Sequence, residues 1–134
     1  MRDYNRGADP PHRIVRTMGI SKLLAWQWEG YAQYHQSRAN LLMHAVLVPM
    51  FLAGNVALLV GAMRQDWIEA VAGAACTLVS IALQGRGHRG EPVPPVPFSS
   101  SGNALARIFL EQWITFPRFV LSGGWSRALR GARE

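Results

Sequence analysis

Three of the four histidines lie at the edges of long apolar segments, where a polar side chain is costly unless something there uses it. They are His35, His44 and His88. Neutral imidazole is the commonest metal ligand in proteins, and several imidazoles together suit iron, zinc or copper. The fourth histidine, His12, lies in an arginine-rich N-terminal arm and receives no role. The sequence therefore indicates a metal site, provided that the fold brings three distant histidines together.

A helical hairpin would bring two of them together. The segments from Asn40 to Met63 and from Trp67 to Gln84 are both long and apolar, and only the residues "RQD" separate them. Because about 20 apolar residues span a bilayer, we expect two antiparallel transmembrane helices. The start of the first helix then lies beside the end of the second, so His44 and His88 should meet.

His35 joins this group only if the helix breaks before His44. The two histidines are nine residues apart, which on one straight helix would point them about 180° away from each other. The residues "QSRAN" offer the break, and Asn40 is predicted to cap the next helix. A preceding helix from Ser21 to about Gln36 would carry Tyr31 and His35 on one face. The stretch thus predicts two helix ends folded around one polar pocket.

The remaining segments favour flanking helices in one domain. We divide the chain into a flexible basic arm (1–20), a single helical membrane domain (21–122) and a basic tail (123–134). After a proline-rich loop, a last helix is predicted to be capped by Ser101 or Asn103 and to kink at Pro117. Its charges favour a helix on the membrane surface, or one packed on the hairpin, over a third span. Small residues in the second hairpin helix would let a partner helix approach closely: Ala70, Ala72, Gly73, Ala74 and Ala75.

The charges suggest an orientation in a membrane. The formal net charge is +6, and Lys22 is the only lysine. Arginines cluster before the hairpin, after it and in the tail, whereas the link has only Arg64, offset by Asp66. The positive-inside rule then places both termini on the cytoplasmic side. The alternatives are a soluble all-α domain with the apolar helices as its core, and a nucleic-acid-binding protein. The arginines flank apolar spans instead of lining one polar face, which disfavours nucleic acid.

The polar residues around the histidines carry a resemblance to a known family. The sequence resembles small membrane proteins related to the fungal 2-hydroxy fatty acid dioxygenase, the enzyme of phytosphingosine breakdown to odd-chain fatty acids. The family's first motif, Tyr-x3-His-x4-Asn-x3-His and then an apolar span with a proline, is matched by Tyr31, His35, Asn40, His44 and Pro49. Its second motif, Gln-x2-Gly-His and then a glutamate and prolines, is matched by Gln84, Gly87, His88, Glu91 and Pro92. The resemblance covers roughly residues 21–97, and here the glutamate follows the histidine by three residues where the family usually has four.

This resemblance implies an Fe(II)-dependent oxygenase in a bacterial inner membrane. Such an enzyme would use dioxygen to shorten a 2-hydroxy fatty acid by one carbon, with the acyl chain among the hairpin's apolar residues or in the lipid. The implied Fe2+ ligands are His35, His44 and His88. The expected partners are a fatty-acyl or lipid substrate, dioxygen and membrane phospholipid, with no nucleic acid, and a homo-oligomer remains open.

Further roles follow for the neighbouring polar side chains. Glu91 could be a fourth ligand, a base or the partner that orients a histidine, and Tyr31 could orient a histidine or contact substrate; both are assigned to catalysis. Asn40, Arg86 and Arg89 are assigned to substrate binding, since the two arginines flank His88 and could attract a carboxylate. The arginines could equally serve only the positive-inside rule. The alternative for the whole protein is a non-enzymatic membrane scaffold or lipid-binding protein in which the histidines are structural.

Overall fold

Helices make up nearly all of the described structure. A computed structural model describes residues 18–132, and within them there are no strands, so the predicted all-α class is confirmed. The α-helices are α1 (Ile20–Gly30), α2 (Arg38–Arg64), α3 (Trp67–Gly87), α4 (Ser101–Leu110), α5 (Phe116–Leu121) and α6 (Gly124–Gly131). Short 3-10 helices span Tyr31–Tyr34 and His88–Gly90, and a π-helical turn spans Glu111–Thr115. All but the last three residues of the predicted basic arm lie outside the described residues, and so does His12.

The two long helices, α2 and α3, pack against each other as the predicted antiparallel hairpin. Gln65 adopts a left-handed conformation (φ 58°) between them, and the Asp66 carboxylate accepts a hydrogen bond from the Glu69 backbone N–H at 3.1 Å. This N-cap satisfies an amide that would otherwise lack a partner at the start of α3. The sharp link thus ends one long helix and starts the next within three residues.

Small residues set the distance between the two long helices. A Cβ atom built on Gly54 would lie only 2.8 Å from the carbonyl oxygen of Gly73 on the facing helix. Ala70 is buried in the same interface, whereas Ala72 and Ala75 face outward. The predicted close approach therefore occurs between α3 and α2, and only some of the small residues of α3 take part in it.

Buried polar side chains also join the hairpin. The Ser80 hydroxyl donates a hydrogen bond to the Leu47 carbonyl at 2.6 Å, and the Asn55 amide donates to the Thr77 hydroxyl at 3.1 Å. Interhelical bonds of this kind hold apolar helices in one register where hydrophobic packing alone would not.

The outer faces of the hairpin are apolar. By length and composition, α2 and the helical segment from Trp67 to Gly90 could each cross a membrane. Only 33% and 22% of their most apolar stretches are buried inside the protein. Outward side chains include Met63 and Ile68, with relative exposures of 85% and 86%. Contiguous apolar surface of this kind marks a region that contacts lipid or another protein.

The later helices pack on the end of the hairpin where α2 begins and α3 ends. Gln112 and Gln84 exchange amide hydrogen bonds of 2.7 and 3.1 Å, which join the π-helical turn to α3. The last helices are therefore packed on the hairpin, which is one of the two positions predicted for them. Residues 124–131, within the segment predicted as a basic tail, form α6, and the Trp125 indole donates to the Leu41 carbonyl at 3.0 Å.

Two of the predicted helix caps are wrong by a few residues. Ser37, and not Asn40, caps α2: its backbone is extended and its hydroxyl accepts a hydrogen bond from the Asn40 N–H. Ser100, and not Ser101 or Asn103, caps α4 in the same way. Both helices start earlier than predicted because a serine upstream has the extended backbone that an N-cap requires.

Candidate metal centre

Three histidines and one glutamate converge where the helix ends meet. His35, His44, His88 and Glu111 each offer one ligand atom, and these atoms all lie within 4.8 Å of one another. The Nε2 atoms of His35 and His44 are 3.4 Å apart. The Glu111 Oε1 atom lies 3.6 Å from the first and 3.7 Å from the second. The predicted meeting of the three histidines is thus confirmed, and a carboxylate joins them.

Backbone carbonyls orient two of the imidazoles. The Nδ1 atom of His35 lies 2.8 Å from the Tyr31 carbonyl, and the Nδ1 atom of His44 lies 3.0 Å from the Asn40 carbonyl. A carbonyl can only accept, so each Nδ1 carries the hydrogen and each Nε2 keeps a lone pair that faces the cluster. Both bonds join residues four apart, and the break at Gln36 and Ser37 separates the two turns. This is how metal-binding imidazoles are usually oriented in proteins.

His88 directly follows α3 and is the first residue of the short 3-10 helix His88–Gly90. Its ring centroid is 5.0 Å from those of His35 and His44. Its Nδ1 atom is buried and has no hydrogen-bond partner. A buried polar atom without a partner is uncommon and calls for an explanation such as a bound ion. The donor set and this orphaned nitrogen therefore fit a metal ion.

Glu111 is the member of the cluster that the sequence did not identify. Its Oε1 atom accepts a hydrogen bond from the Tyr31 hydroxyl at 3.1 Å, and the Tyr31 ring stacks on His35 with centroids 4.0 Å apart. Burial raises the pKa of the Glu111 carboxyl to about 7, although the Tyr31 hydrogen bond and the Arg107 charge oppose the rise. A nearby cation would stabilise the ionised form of a carboxyl group buried in this way.

The π-helical turn sets where Glu111 points. The Phe116 N–H bonds the Glu111 carbonyl, one residue further along than in an α-helix. Pro117 follows, and it has no N–H to continue an α-helical ladder. The kink predicted at Pro117 therefore takes the form of a wide turn just before it, which is a common local structure at functional sites.

Glu91 lies beside the cluster without belonging to it. Its Oε2 atom accepts from the backbone N–H groups of Gln36 (2.8 Å) and Ser37 (3.1 Å), and its Oε1 atom accepts from the Asn40 amide. It thereby ties the loop after His88 to the break between His35 and α2. These contacts are those of an anchor for the histidine-bearing segments, a role that the sequence did not predict. Asn40 in turn orients His44 through its backbone carbonyl and not through its side chain.

A cavity of about 300 Å³ opens beside the cluster. His35, His88 and Glu111 line one part of it, and most of the remaining wall is apolar. Arg86 and Arg89, predicted to bind substrate, are exposed and do not line this cavity. The arginine that does line it is Arg107, to which the sequence assigned no role.

The electrostatics of the cluster favour neutral imidazole at His35. Burial lowers the pKa of His35 well below its ordinary value, and the nearby His44 adds to the effect. Burial likewise raises the pKa of the Tyr31 phenol well above its ordinary value. At neutral pH the cluster can therefore present imidazole lone pairs, and Tyr31 remains a hydrogen-bond donor to Glu111.

Comparison with protein-family models, curated proteins and solved structures finds no match to this chain. The class of protein is therefore defined by its own structure: a small all-α protein with two helices long enough to cross a membrane. A buried cluster of three histidines and one glutamate, able to hold a metal ion, lies at the open end of the hairpin.

Proposed function

We propose that this protein is a membrane-bound Fe(II)-dependent oxygenase that shortens 2-hydroxy fatty acids by one carbon. The observation that carries the proposal is the convergence of His35, His44, His88 and Glu111 beside an apolar cavity. The resemblance of the tyrosine, histidine and asparagine pattern to the 2-hydroxy fatty acid dioxygenase family supplies the reaction.

The four side chains suit iron. Imidazole and carboxylate are the ligands used by non-haem iron oxygenases, which leave coordination positions open. When bound, the metal would activate dioxygen and bind the hydroxyl of the substrate. Zinc and copper also accept imidazole, so the choice of iron rests on the family resemblance.

The overall reaction balances without a further reductant. A 2-hydroxy acid and dioxygen give an acid one carbon shorter, carbon dioxide and water. The bond between the carboxyl carbon and the hydroxyl-bearing carbon breaks, and the four electrons that leave the substrate reduce dioxygen. No second cofactor is therefore required of this chain.

The protein's own groups would orient the ligands and bind the chain. Tyr31 holds Glu111 through its hydroxyl, and the backbone carbonyls of residues 31 and 40 hold two imidazoles. The apolar cavity wall, which includes Trp26 and Ile108, would cover the carbons next to the reacting head and exclude water.

A membrane location fits the substrate and the exposed apolar faces of the hairpin. A fatty acid dissolved in the lipid would reach the cluster at the end of the spans without crossing water. The arginine pattern supports an orientation with both termini in the cytoplasm of a bacterium.

The decisive experiment is turnover by protein purified in detergent and loaded anaerobically with Fe(II). We would add 2-hydroxypalmitate and oxygen and look by mass spectrometry for the product one carbon shorter. His44→Ala removes one ligand, and Leu42→Ala is the matched control, because Leu42 lies on the same helix and is 45% exposed.

The outcomes separate the hypotheses. Product from the wild type and the control but not from His44→Ala supports the oxygenase and the site. Stoichiometric bound metal without product refutes the oxygenase for this substrate and leaves a metal-binding membrane protein. If the wild type binds no transition metal at all, the histidines are structural and the proposal is wrong.

A further inference from the structure

Arg107 is a buried positive charge without a carboxylate partner among the described residues. Its relative exposure is 8%, and no described acidic oxygen lies within 4.0 Å of its guanidinium. A buried charge is normally paired, because removing it from water is costly. The Glu111 carboxylate acts on this charge only from a distance, because its Oε1 atom faces His35 and the Tyr31 hydroxyl. A ligand carboxylate in the cavity would supply the direct ion pair that the guanidinium lacks.

The guanidinium is held in place by neutral contacts. It stacks over the rings of Trp26 and Phe98, with distances of 5.0 and 4.6 Å to the ring centroids. Two of its nitrogens donate to the carbonyls of Val96 (2.9 Å) and Pro97 (3.2 Å), and Nε has no partner. A guanidinium has five N–H donors, so these two bonds leave others unused. The group is fixed in orientation but not neutralised.

Its position relates it to the metal-binding cluster. Arg107 precedes Glu111 by four residues, so the two side chains share one face of the helix. Both line the 300 Å³ cavity, together with His35 and His88. A ligand that reaches the cluster through this cavity therefore passes beside the guanidinium.

We propose that Arg107 binds the carboxylate of an amphipathic acid whose chain occupies the apolar part of this cavity. An arginine fork matches the two oxygens of a carboxylate, and the bonds to Val96 and Pro97 use only two of its five N–H donors. The cavity is at the small end of the range for small-molecule sites, which suits one head group and part of one chain. Arg107 takes the part in substrate binding that the sequence assigned to Arg86 and Arg89. The proposal deepens the proposed function and rests on it only for the identity of the substrate.

Binding without turnover tests this assignment. We would place the protein in nanodiscs, both metal-free and loaded with redox-inert Zn2+, and measure binding by calorimetry. The probes are 2-hydroxyoctanoate, the uncharged 1,2-octanediol and octyl phosphate, with protein-free nanodiscs as the blank. The variants are Arg107→Gln and Arg107→Lys. Arg118→Gln is the matched control, because Arg118 stacks on Trp28 at 3.9 Å but is exposed and does not line the cavity.

We expect the wild type to prefer the acid to the diol. Arg107→Gln should weaken binding of the acid by about 10- to 100-fold, the range for a charge-assisted pair, and leave the diol within about threefold. Arg107→Lys should retain part of the preference, and Arg118→Gln should retain all of it. Circular dichroism would show that each variant keeps its helix content.

Four results of the binding measurement would overturn the proposal. They are equal affinity of the wild type for acid and diol, equal weakening of both probes by Arg107→Gln, tighter binding of octyl phosphate than of the acid, and no binding of any probe. The second result would make Arg107 only a clamp for the loop at Val96 and Pro97. Arg107-dependent acid binding without turnover of the Fe(II) protein would refute the oxygenase and leave this proposal standing. Turnover by Arg107→Gln with an unchanged KM would refute the role of Arg107 and leave the oxygenase standing.

Discussion

The replacement of Glu91 by glutamine tests whether this residue is an anchor or a metal ligand. The carboxylate is 8% exposed and accepts three hydrogen bonds, two of them from the backbone at the break before α2. A hydrogen bond to a charged acceptor contributes about 1 kcal/mol more than one to a neutral acceptor. In Glu91→Gln one acceptor oxygen becomes an NH2 group, which cannot accept, so at least one of the three bonds is lost and the others become neutral. The free energy of unfolding should therefore fall by about 3 kcal/mol or more.

The effect on metal binding should be indirect and smaller than the loss of a ligand. The glutamine can still bond part of the same segment, so His35 and His44 shift but remain. We expect the metal affinity to fall by about 10- to 100-fold, as for other residues that support a metal ligand. The assays are unfolding in mixed micelles and metal competition against a fluorescent chelator. Glu29→Gln is the control, because Glu29 is an exposed carboxylate on α1.

Two outcomes would refute this reasoning. If stability is unchanged in Glu91→Gln, the three bonds do not anchor the break. If stability is unchanged but metal binding is abolished, Glu91 is itself a ligand and not an anchor.

Three further predictions follow from the described contacts. Glu111→Gln should lower metal affinity by about 100-fold or more, because it removes the one anionic group of the cluster; a change below about threefold in the chelator assay would contradict this. In the wild type, metal affinity should fall about tenfold per pH unit below about pH 7, where the carboxyl of Glu111 takes up a proton, and Glu111→Gln should flatten this dependence. Gly73→Leu should prevent stable packing of the hairpin, because even a Cβ atom at this position would lie 2.6 Å from the Gly54 carbonyl oxygen. Ala72→Leu on the outer face should be tolerated. The yield of detergent-solubilised protein and its helix content measure both effects.

The sequence predicts the long-range frame of the site well. The apolar lengths fix two helices, and a three-residue link forces them to be antiparallel, so His44 and His88 must meet. The helical repeat alone requires a break between His35 and His44, and the break occurs at the predicted residues. These conclusions depend on segment lengths and periodicity, which sequence carries directly.

The parts contributed by the last helices could not be predicted in this way. Glu111 and Arg107 follow a proline-rich loop whose path no periodic pattern specifies. Their register depends on a π-helical turn, which shifts the facing side chains by one residue, and on the amide pair between Gln84 and Gln112. The arginines chosen from sequence, Arg86 and Arg89, lie within two residues of His88 in the chain, but residues one or two apart on a helix do not face each other.

The four residues of the cluster come from four separate segments: the turn after α1, the start of α2, the end of α3 and the π-helical turn. Each of these segments contributes one residue of the cluster. A nascent chain that has paired both long helices but has not yet docked residues 101–121 would hold three imidazoles without the Glu111 carboxylate. The complete site then appears only when the last helices dock, so tight metal binding would mark the end of folding. A chain truncated before residue 111 would keep its hairpin yet bind a metal more weakly.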